Sequence, residues 1–345
     1  DEAIAAYNKA LSIKPDYADA EAQMLHQRRH ICDWSQIDLL NDTCARLGIT
    51  TKAVPTFTML STEDNAERQL IRSRIWASEK YKQQPKTLPA KPTVRPKRLK
   101  IGYFSADFHD HATLYLMAGL LRDYDSAQFE VFAYSYGRST SGEWRQKAEQ
   151  DVDHFFDVTD ASDHVIVDLA RSHGLDVAID LKGYTGKTRS DLFQYRLAPI
   201  QINYLGYPGS MGADFIDYII ADKTVIPTSQ RQHYSENVIY LPHSYQPNDD
   251  QRLIAQTNTT RADFGLPDNA FVFCCFNNNY KISPREFDIW MRILSQTDGS
   301  VLWLLKSNKW AEGNLRKEAQ ARGIDPSRVI FAEKLPLAEH LERHK

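Results

Sequence analysis

The sequence of 345 residues predicts an α/β fold with two doubly wound, Rossmann-like domains, preceded by an α-helical segment. Three observations carry this prediction. Residues 1–84 show the apolar spacing of amphipathic helices. From Leu99 onward, short apolar runs alternate with helical patterns, which indicates parallel sheets with right-handed crossovers. This alternation pauses in a polar stretch near 246–262 and then restarts, which indicates a second domain.

The composition excludes several classes of protein. Forty-two Lys and Arg side chains against forty-five Asp and Glu give a net charge of −3, which argues against nucleic acid as a partner and against an acidic disordered chain. No apolar run approaches the roughly 20 residues of a membrane span, so we expect no membrane contact. Four cysteines without metal or redox spacing, and no secretory segment, favour a cytoplasmic protein.

The helical segment is predicted over residues 1–84. Apolar side chains in residues 2–13 follow helical spacing, Pro15 ends the run and Tyr17 begins a second helix. The pattern resembles the junction of two tetratricopeptide units, although any amphipathic helical hairpin would give it. One such unit cannot bury its own apolar face, so we expect upstream repeats and therefore a piece of a longer chain.

A connector and two sheet domains follow. Prolines and basic side chains without an acid predict an extended connector over 85–98. The first sheet domain is predicted over 99–262, with strands at LKIGYFS, FEVFAYSY, VAIDLKG, 201–205, 218–221 and 238–241 and helices over 114–121 and over VIVDLARSHG, which Gly174 closes. The second, over 263–345 and incomplete, has predicted strands at 271–276, 301–306 and 328–331 and helices at 284–296 and 311–322.

The loop after the first strand carries the clearest candidate chemistry. Ligands of doubly wound folds bind at the carboxyl ends of the strands, where this loop lies. It contains Asp107, His109 and His111, and a neutral histidine beside a carboxylate suits acid–base or substrate-orienting work. A metal would need a further cluster of ligands that the sequence lacks, so none is expected. The simpler interpretation, in which the aspartate caps the helix and the histidine is an ordinary surface residue, remains open at this point.

Three more loops lie at predicted strand ends. Residues 181–185 supply hydroxyls and backbone donors, and residues 205–212 pack three glycines around Pro208, which lets backbone approach a ligand closely. Residues 276–284 bring asparagines, Tyr280 and Lys281 to a helix N-terminus, a suitable receptor for a phosphorylated leaving group. A solvated lysine and a plain turn are the simpler interpretations of these loops.

Taken in order, the motifs resemble the O-linked N-acetylglucosaminyltransferase family. The resemblance rests on SADFHDHAT, DLKGYTGKTR, APIQINYLGYPGSMGADFIDYIIAD, FNNNYKI with VLWLL, and AEHLERH. It implies an inverting glycosyltransferase of the GT-B fold, preceded by tetratricopeptide repeats that recruit acceptors. The implied reaction transfers GlcNAc from UDP-GlcNAc to Ser or Thr hydroxyls of proteins, without a metal or other cofactor.

The resemblance also implies residue roles. His111 would act as base, with Asp107 as its partner, and Lys281 would stabilise the departing diphosphate. Further donor contacts would come from Thr113, Leu205, Gly206, Pro208, Asn278, Tyr280 and His340. Asn278 stands where animal members carry glutamine, so that contact would be shorter or lost. The family's nucleotide-binding His-Thr-Thr segment would lie beyond Lys345, so we expect poor UDP binding by these residues alone.

Two alternatives stay open on the sequence. The related protein O-fucosyltransferase branch, which uses GDP-fucose, shares the layout and the lysine motif. Alternatively, the repeats recruit partners while the transferase fold is inactive. The departures at Asn278 and at Ala112, which stands where the family carries proline, leave room for this interpretation.

Overall fold

The computed structural model describes residues 2–82, 88–89, 93–94 and 96–345, so half of the predicted connector 85–98 lies outside the described part of the chain. The helices are α1 Glu2–Ile13, α2 Ala18–His30, α3 Ile37–Arg46, α4 Thr56–Leu60, α5 Ala66–Lys80, α6 Ala112–Asp123, α7 Glu143–Asp151, α8 Asp163–His173, α9 Pro284–Gln296, α10 Lys309–Ala321 and α11 Leu337–Glu342. The strands are β1 Leu99–Ser105, β2 Phe129–Ser135, β3 His154–Asp157, β4 Val177–Asp180, β5 Ile200–Asn203, β6 Tyr218–Ala221, β7 Asn237–Tyr240, β8 Phe271–Cys275, β9 Ser300–Leu305 and β10 Val329–Ala332.

The larger sheet has seven parallel strands in the order β3-β2-β1-β4-β5-β6-β7. The chain leaves β1 towards β2 on one side and later returns to β4 on the other, so the topological switch point lies between β1 and β4. Phe104 of β1 and Tyr134 of β2 are fully buried and stack with ring centroids 4.3 Å apart. Because both faces of the sheet are buried, the sequences of these strands are continuous apolar runs.

The smaller sheet is parallel as well, in the order β10-β9-β8. Its central strand β9 is almost completely buried, and α9 and α10 contribute Phe287 and Leu315 to the adjoining core. Together the two parallel sheets confirm the predicted α/β class. Within the described residues, no helix is both long and apolar enough to cross a bilayer.

The described chain divides into two compact units, which differ from the predicted succession of domains 1–84, 85–98, 99–262 and 263–345. Unit 1 comprises Asp1–Leu47, Ser61–Asp64 and Arg252–Lys345, and unit 2 comprises Gly48–Leu60 and Asn65–Gln251.

Side-chain packing explains the division of the helical segment. Trp34, in the connection between α2 and α3, is 6% exposed and packs edge-on against Phe287 of α9, with ring centroids 5.4 Å apart, so this connection shares a core with the smaller sheet. Helix α5 instead belongs to the larger sheet's unit, since the Gln69 amide donates to the Tyr207 hydroxyl at 3.3 Å. The predicted single helical domain is therefore split between the two units.

Candidate functional site

Strand β4 ends in Asp180, a buried carboxylate that shapes the turn after it. One oxygen of Asp180 accepts the backbone N–H groups of Lys182 at 2.8 Å and Gly183 at 3.0 Å, and the other accepts the Ser190 hydroxyl. Burial raises the pKa of Asp180, while these hydrogen bonds oppose the shift. Both carboxylate oxygens are thus occupied in holding the turn that carries Lys182.

Lys182 forms a buried ion pair with Asp107 across the switch point. Its Nζ lies 2.7 Å from Asp107 Oδ2, and the two side chains are only 7% and 9% exposed. Asp107 follows β1 and Lys182 follows β4, which are neighbouring parallel strands. The pair therefore links the first two loops at the carboxyl edge of the sheet.

His111 stands beside this pair at the start of α6. Its Nδ1 accepts the backbone N–H of Thr113 at 3.2 Å and lies 3.1 Å from the Thr113 hydroxyl and 3.5 Å from Asp107 Oδ2. A ring nitrogen that accepts an N–H carries no proton, so the neutral ring in this arrangement holds its proton on Nε2. His111 caps the helix and, with its side chain 43% exposed, is also open to a ligand.

The charge state of His111 follows from its surroundings. Burial lowers the pKa of His111 below its ordinary value, and the charges of Lys182 and His109 lower it further, while Asp107 opposes them. The imidazole is therefore neutral at neutral pH, the form that can accept a proton.

The third loop of the site follows β5 and lies against the turn after β4. Leu205 has a φ of +68°, and a Cβ added to Gly206 would lie 2.1 Å from the carbonyl oxygen of Leu181. Only glycine allows this approach of two backbones. The Asn203 amide donates to the Tyr207 carbonyl at 3.0 Å and closes the loop, on which Pro208 is exposed.

The structure thus gathers six of the predicted site residues on neighbouring loops of unit 2. Asp107, His111 and Thr113 form one hydrogen-bonded cluster, and the next loops along the sheet edge carry Leu205, Gly206 and Pro208. Their roles towards a ligand stay predictions.

The other four predicted residues belong to unit 1. Three of them, Asn278, Tyr280 and Lys281, follow β8 and enter a 3-10 turn over Asn279–Lys281 just before α9. Asn278 and Lys281 are exposed, and among the described residues no carboxylate pairs with the Lys281 ammonium. An unneutralised cation ahead of a helix N-terminus suits an anionic ligand.

His340 lies on α11 in the same unit. Its Nδ1 is 2.5 Å from the Arg343 guanidinium, and its ring lies 5.3 Å from that of Phe276. Burial, with the charges of Arg343 and His344, lowers the pKa of His340 to about 4. A neutral ring at this position can hydrogen-bond a ligand but brings no charge to it.

Sequence reasoning missed Lys182 and Asp180. Residues 181–185 are predicted to supply hydroxyls and backbone donors, whereas Lys182 pairs with Asp107, and Asp180, directly before this segment, holds the turn. The available signal was two opposite charges, each directly after a buried strand. Across the described ranges, no group of three or more His, Cys, Asp or Glu side chains is arranged to hold a metal.

Two parallel α/β units, one with its polar loops collected at a strand switch point, agree with the GT-B fold that the sequence resemblance implies. Residues 55–259 and 255–345 match the profile of glycosyl transferase family 41, and the chain belongs to that family.

Curated relatives bear names that describe peptide glycosylation. The probable UDP-N-acetylglucosamine–peptide N-acetylglucosaminyltransferase SEC of Arabidopsis thaliana is 36% identical over 264 residues, which cover 75% of this chain and 27% of that protein. The UDP-N-acetylglucosamine–peptide N-acetylglucosaminyltransferase of Caenorhabditis elegans is 26% identical over 71% of this chain and 31% of its own length. A SPINDLY protein of Solanum lycopersicum is 27% identical over 74% of this chain and 28% of its length. The chain thus spans under a third of these relatives.

A solved structure extends the likeness to the fold. A mutant of the Thermobaculum terrenum O-GlcNAc transferase superposes with a TM-score of 0.79 over 98% of this chain and 65% of that one, at 22% identity. This agreement confirms the predicted GT-B architecture.

Proposed function

We propose that this chain carries catalytic machinery of a protein O-GlcNAc transferase, which moves GlcNAc from UDP-GlcNAc to Ser or Thr hydroxyls with inversion and without a metal. Family membership and the names of the relatives support the reaction class. The observation that carries the proposal is the cluster of His111, Thr113, Asp107 and Lys182 at the strand switch point.

In the proposed reaction the acceptor hydroxyl attacks the anomeric carbon from the face opposite UDP. The new C–O bond forms as the bond to the diphosphate breaks, and UDP leaves with the electron pair. His111 takes the hydroxyl proton on Nε2 in its other neutral tautomer, in which Nδ1 carries the ring proton and donates it to Asp107 instead of accepting the Thr113 N–H. The pKa of His111, lowered by burial, keeps the ring neutral and ready to accept.

The leaving group needs a positive counterpart, which Lys281 supplies in this proposal. Its exposed ammonium follows β8 and precedes the N-terminus of α9, so charge and helix dipole act in the same direction. Thr113, Leu205, Gly206 and Pro208 would contact the sugar or diphosphate, while Asn278, Tyr280 and His340 would contact the donor from unit 1.

The test is Lys281→Ala in the full-length protein, with transfer measured by release of UDP. Loss of one electrostatic contact to a developing charge costs about a hundredfold or more in kcat. Lys317→Ala, an exposed lysine of α10, is the matched control and should keep its activity. Near-normal turnover of the Lys281 variant, with the fold intact, would refute the role proposed for Lys281.

Labelled UDP-GlcNAc and GDP-fucose, offered in parallel, separate the two donor branches. Incorporation from GDP-fucose alone would assign the chain to the fucosyltransferase branch. No transfer from either donor, together with no thermal stabilisation by UDP, would favour the inactive scaffold.

We also infer a cytoplasmic location, and recruitment of acceptor proteins by upstream repeats. The four free thiols, two of them adjacent at Cys274 and Cys275, support a reducing compartment. Fractionation of cells that express the tagged protein tests the location, and pull-down of acceptors with and without the repeats tests recruitment.

A further inference from the structure

Two histidines of helix α2 form a pair that the proposed chemistry does not use. His26 and His30 lie one helical turn apart, and their Nε2 atoms are 3.1 Å from each other. One ring nitrogen therefore donates its proton to the other. Burial lowers the pKa of both rings, that of His26 to about 4 with a further contribution from His30, so the pair is uncharged at neutral pH.

The ring of Tyr280 packs against both histidines. Its centroid lies 5.2 Å from that of His26 and 4.9 Å from that of His30, within the range of favourable aromatic contacts. Tyr280 is the middle residue of the 3-10 turn Asn279–Lys281, which we call the lysine loop. Its side chain faces the helix, while the next residue, Lys281, is exposed.

The end of α2 is itself fixed to the same unit. The side-chain amides of Asn308 and Asn314 donate to the carbonyls of His30 at 2.9 Å and Ile31 at 2.8 Å, which satisfies acceptors that a helix end leaves open. The Cys32 thiol lies 3.7 Å from the Asn279 carbonyl, directly on the lysine loop. The end of α2 that carries the histidine pair is therefore fixed to the rest of unit 1.

Beyond the Cys32 contact and the burial of Ile282, few contacts hold the loop. Its backbone is closed by two hydrogen bonds, from Lys281 N–H to the Asn278 carbonyl at 3.0 Å and from Ile282 N–H to the Asn279 carbonyl at 2.9 Å. The Asn279 side chain is buried, yet neither its amide nitrogen nor its oxygen has a hydrogen-bond partner among the described residues. Ring contacts of Tyr280 are thus a main tertiary restraint on the loop.

We propose that His26 and His30 are positioning residues, whose paired rings clamp Tyr280 and thereby fix where Lys281 presents its ammonium. A helix of the repeat-like segment would then set the geometry of the donor site. The effect that we expect of the clamp on transfer rests on the proposed function of Lys281, whereas the effect that we expect on the order of the loop does not.

The experiment compares His26→Ala/His30→Ala with the wild type in the full-length protein and measures amide hydrogen exchange. We expect the amides of Lys281 and Ile282 to exchange about tenfold faster, while those of β9 keep their protection. His30→Phe keeps a ring against Tyr280 and should retain most of the protection. Gln27→Ala, on the same helix, is the control. Unchanged exchange in the double alanine variant would overturn the proposal.

Transfer kinetics supply the second readout. We expect kcat/KM for UDP-GlcNAc to fall roughly tenfold to a hundredfold in the double alanine variant, as for other displaced catalytic groups. When the double alanine change is made in a Lys281→Ala background, we expect almost no further decrease in kcat/KM. Full kcat/KM despite a loosened loop, where Lys281→Ala is inactive, would refute the positioning role. If Lys281→Ala itself transfers normally, the proposed function fails, and the exchange data still decide whether the clamp exists.

Discussion

Replacing Lys182 by methionine should destabilise unit 2 strongly. Lys182 and Asp107 are 7% and 9% exposed, and their contact of 2.7 Å is the strongest partner that this carboxylate has. Without the ammonium, the side-chain partners left to Asp107 among the described residues are the Thr113 hydroxyl at 3.4 Å and the His111 ring at 3.5 Å. The carboxylate would then remain buried without its compensating cation.

The magnitude follows from this burial. Removing one partner of a buried ion pair costs about 3–5 kcal/mol, since the other charge stays uncompensated. For a unit of this size each kcal/mol lowers the thermal midpoint by about 2–4 °C, so we expect a decrease of roughly 6–20 °C. Lys306→Met is the matched control, because its pair with Glu333 is 44% and 71% exposed and should contribute under about 1 kcal/mol.

Scanning calorimetry of the full-length protein measures both midpoints. The double variant Asp107→Leu/Lys182→Met should recover more than half of the loss, because an apolar pair leaves no buried charge. A decrease for Lys182→Met no larger than for Lys306→Met would refute the reasoning, as would strictly additive losses in the double variant.

Two further predictions concern stability. Gly206→Ala should lower the free energy of unfolding by about 1–3 kcal/mol, because the added Cβ would lie 2.1 Å from the Leu181 carbonyl oxygen. Gly186→Ala, with open space around the added Cβ, is the control and should leave the thermal midpoint nearly unchanged. The second concerns pH: because the folded pKa of His26, about 4, lies below its unfolded value of 6.5, the unfolded chain binds more protons in between, so stability should fall as pH drops from 6.5 towards 4. Thermal midpoints at pH 7 and 5 test this, and His26→Asn should flatten the dependence; an equal slope in both proteins would contradict it.

Helices and strands with strong local signals were predictable from the sequence. Helix α9 has the predicted bounds, Pro284–Gln296, because proline fixes its first turn and an apolar stripe runs along it. Helix α8 ends where predicted, since Gly174 adopts a left-handed φ of +63°. Strand β3, His154–Asp157, was missed because it has four residues with exposed ends at the edge of the sheet and shows no apolar run.

The loops of the site were predictable, but their contacts were not. Polar residues that come directly after apolar strands mark the carboxyl edge of a parallel sheet, which is how Asp107 and His111 were found. The pairing of Asp107 with Lys182 depends on β1 lying next to β4, an order of strands that no local pattern contains. For the same reason the split of the helical segment could not be foreseen, since Trp34 finds its core on Phe287, far along the chain.

The contact between Trp34 and Phe287 determines when this part of the chain can fold during synthesis. The ribosome makes Trp34 and the helices on either side of it long before the strands and helices of the smaller sheet. At about 5–20 residues per second, roughly 250 intervening residues take on the order of 10–50 seconds to appear. Throughout this interval Trp34 has no Phe287 to pack against, while the residues of unit 2 are already available to fold. A chaperone that binds the emerging chain would therefore find an exposed apolar site around Trp34 until α9 has been translated.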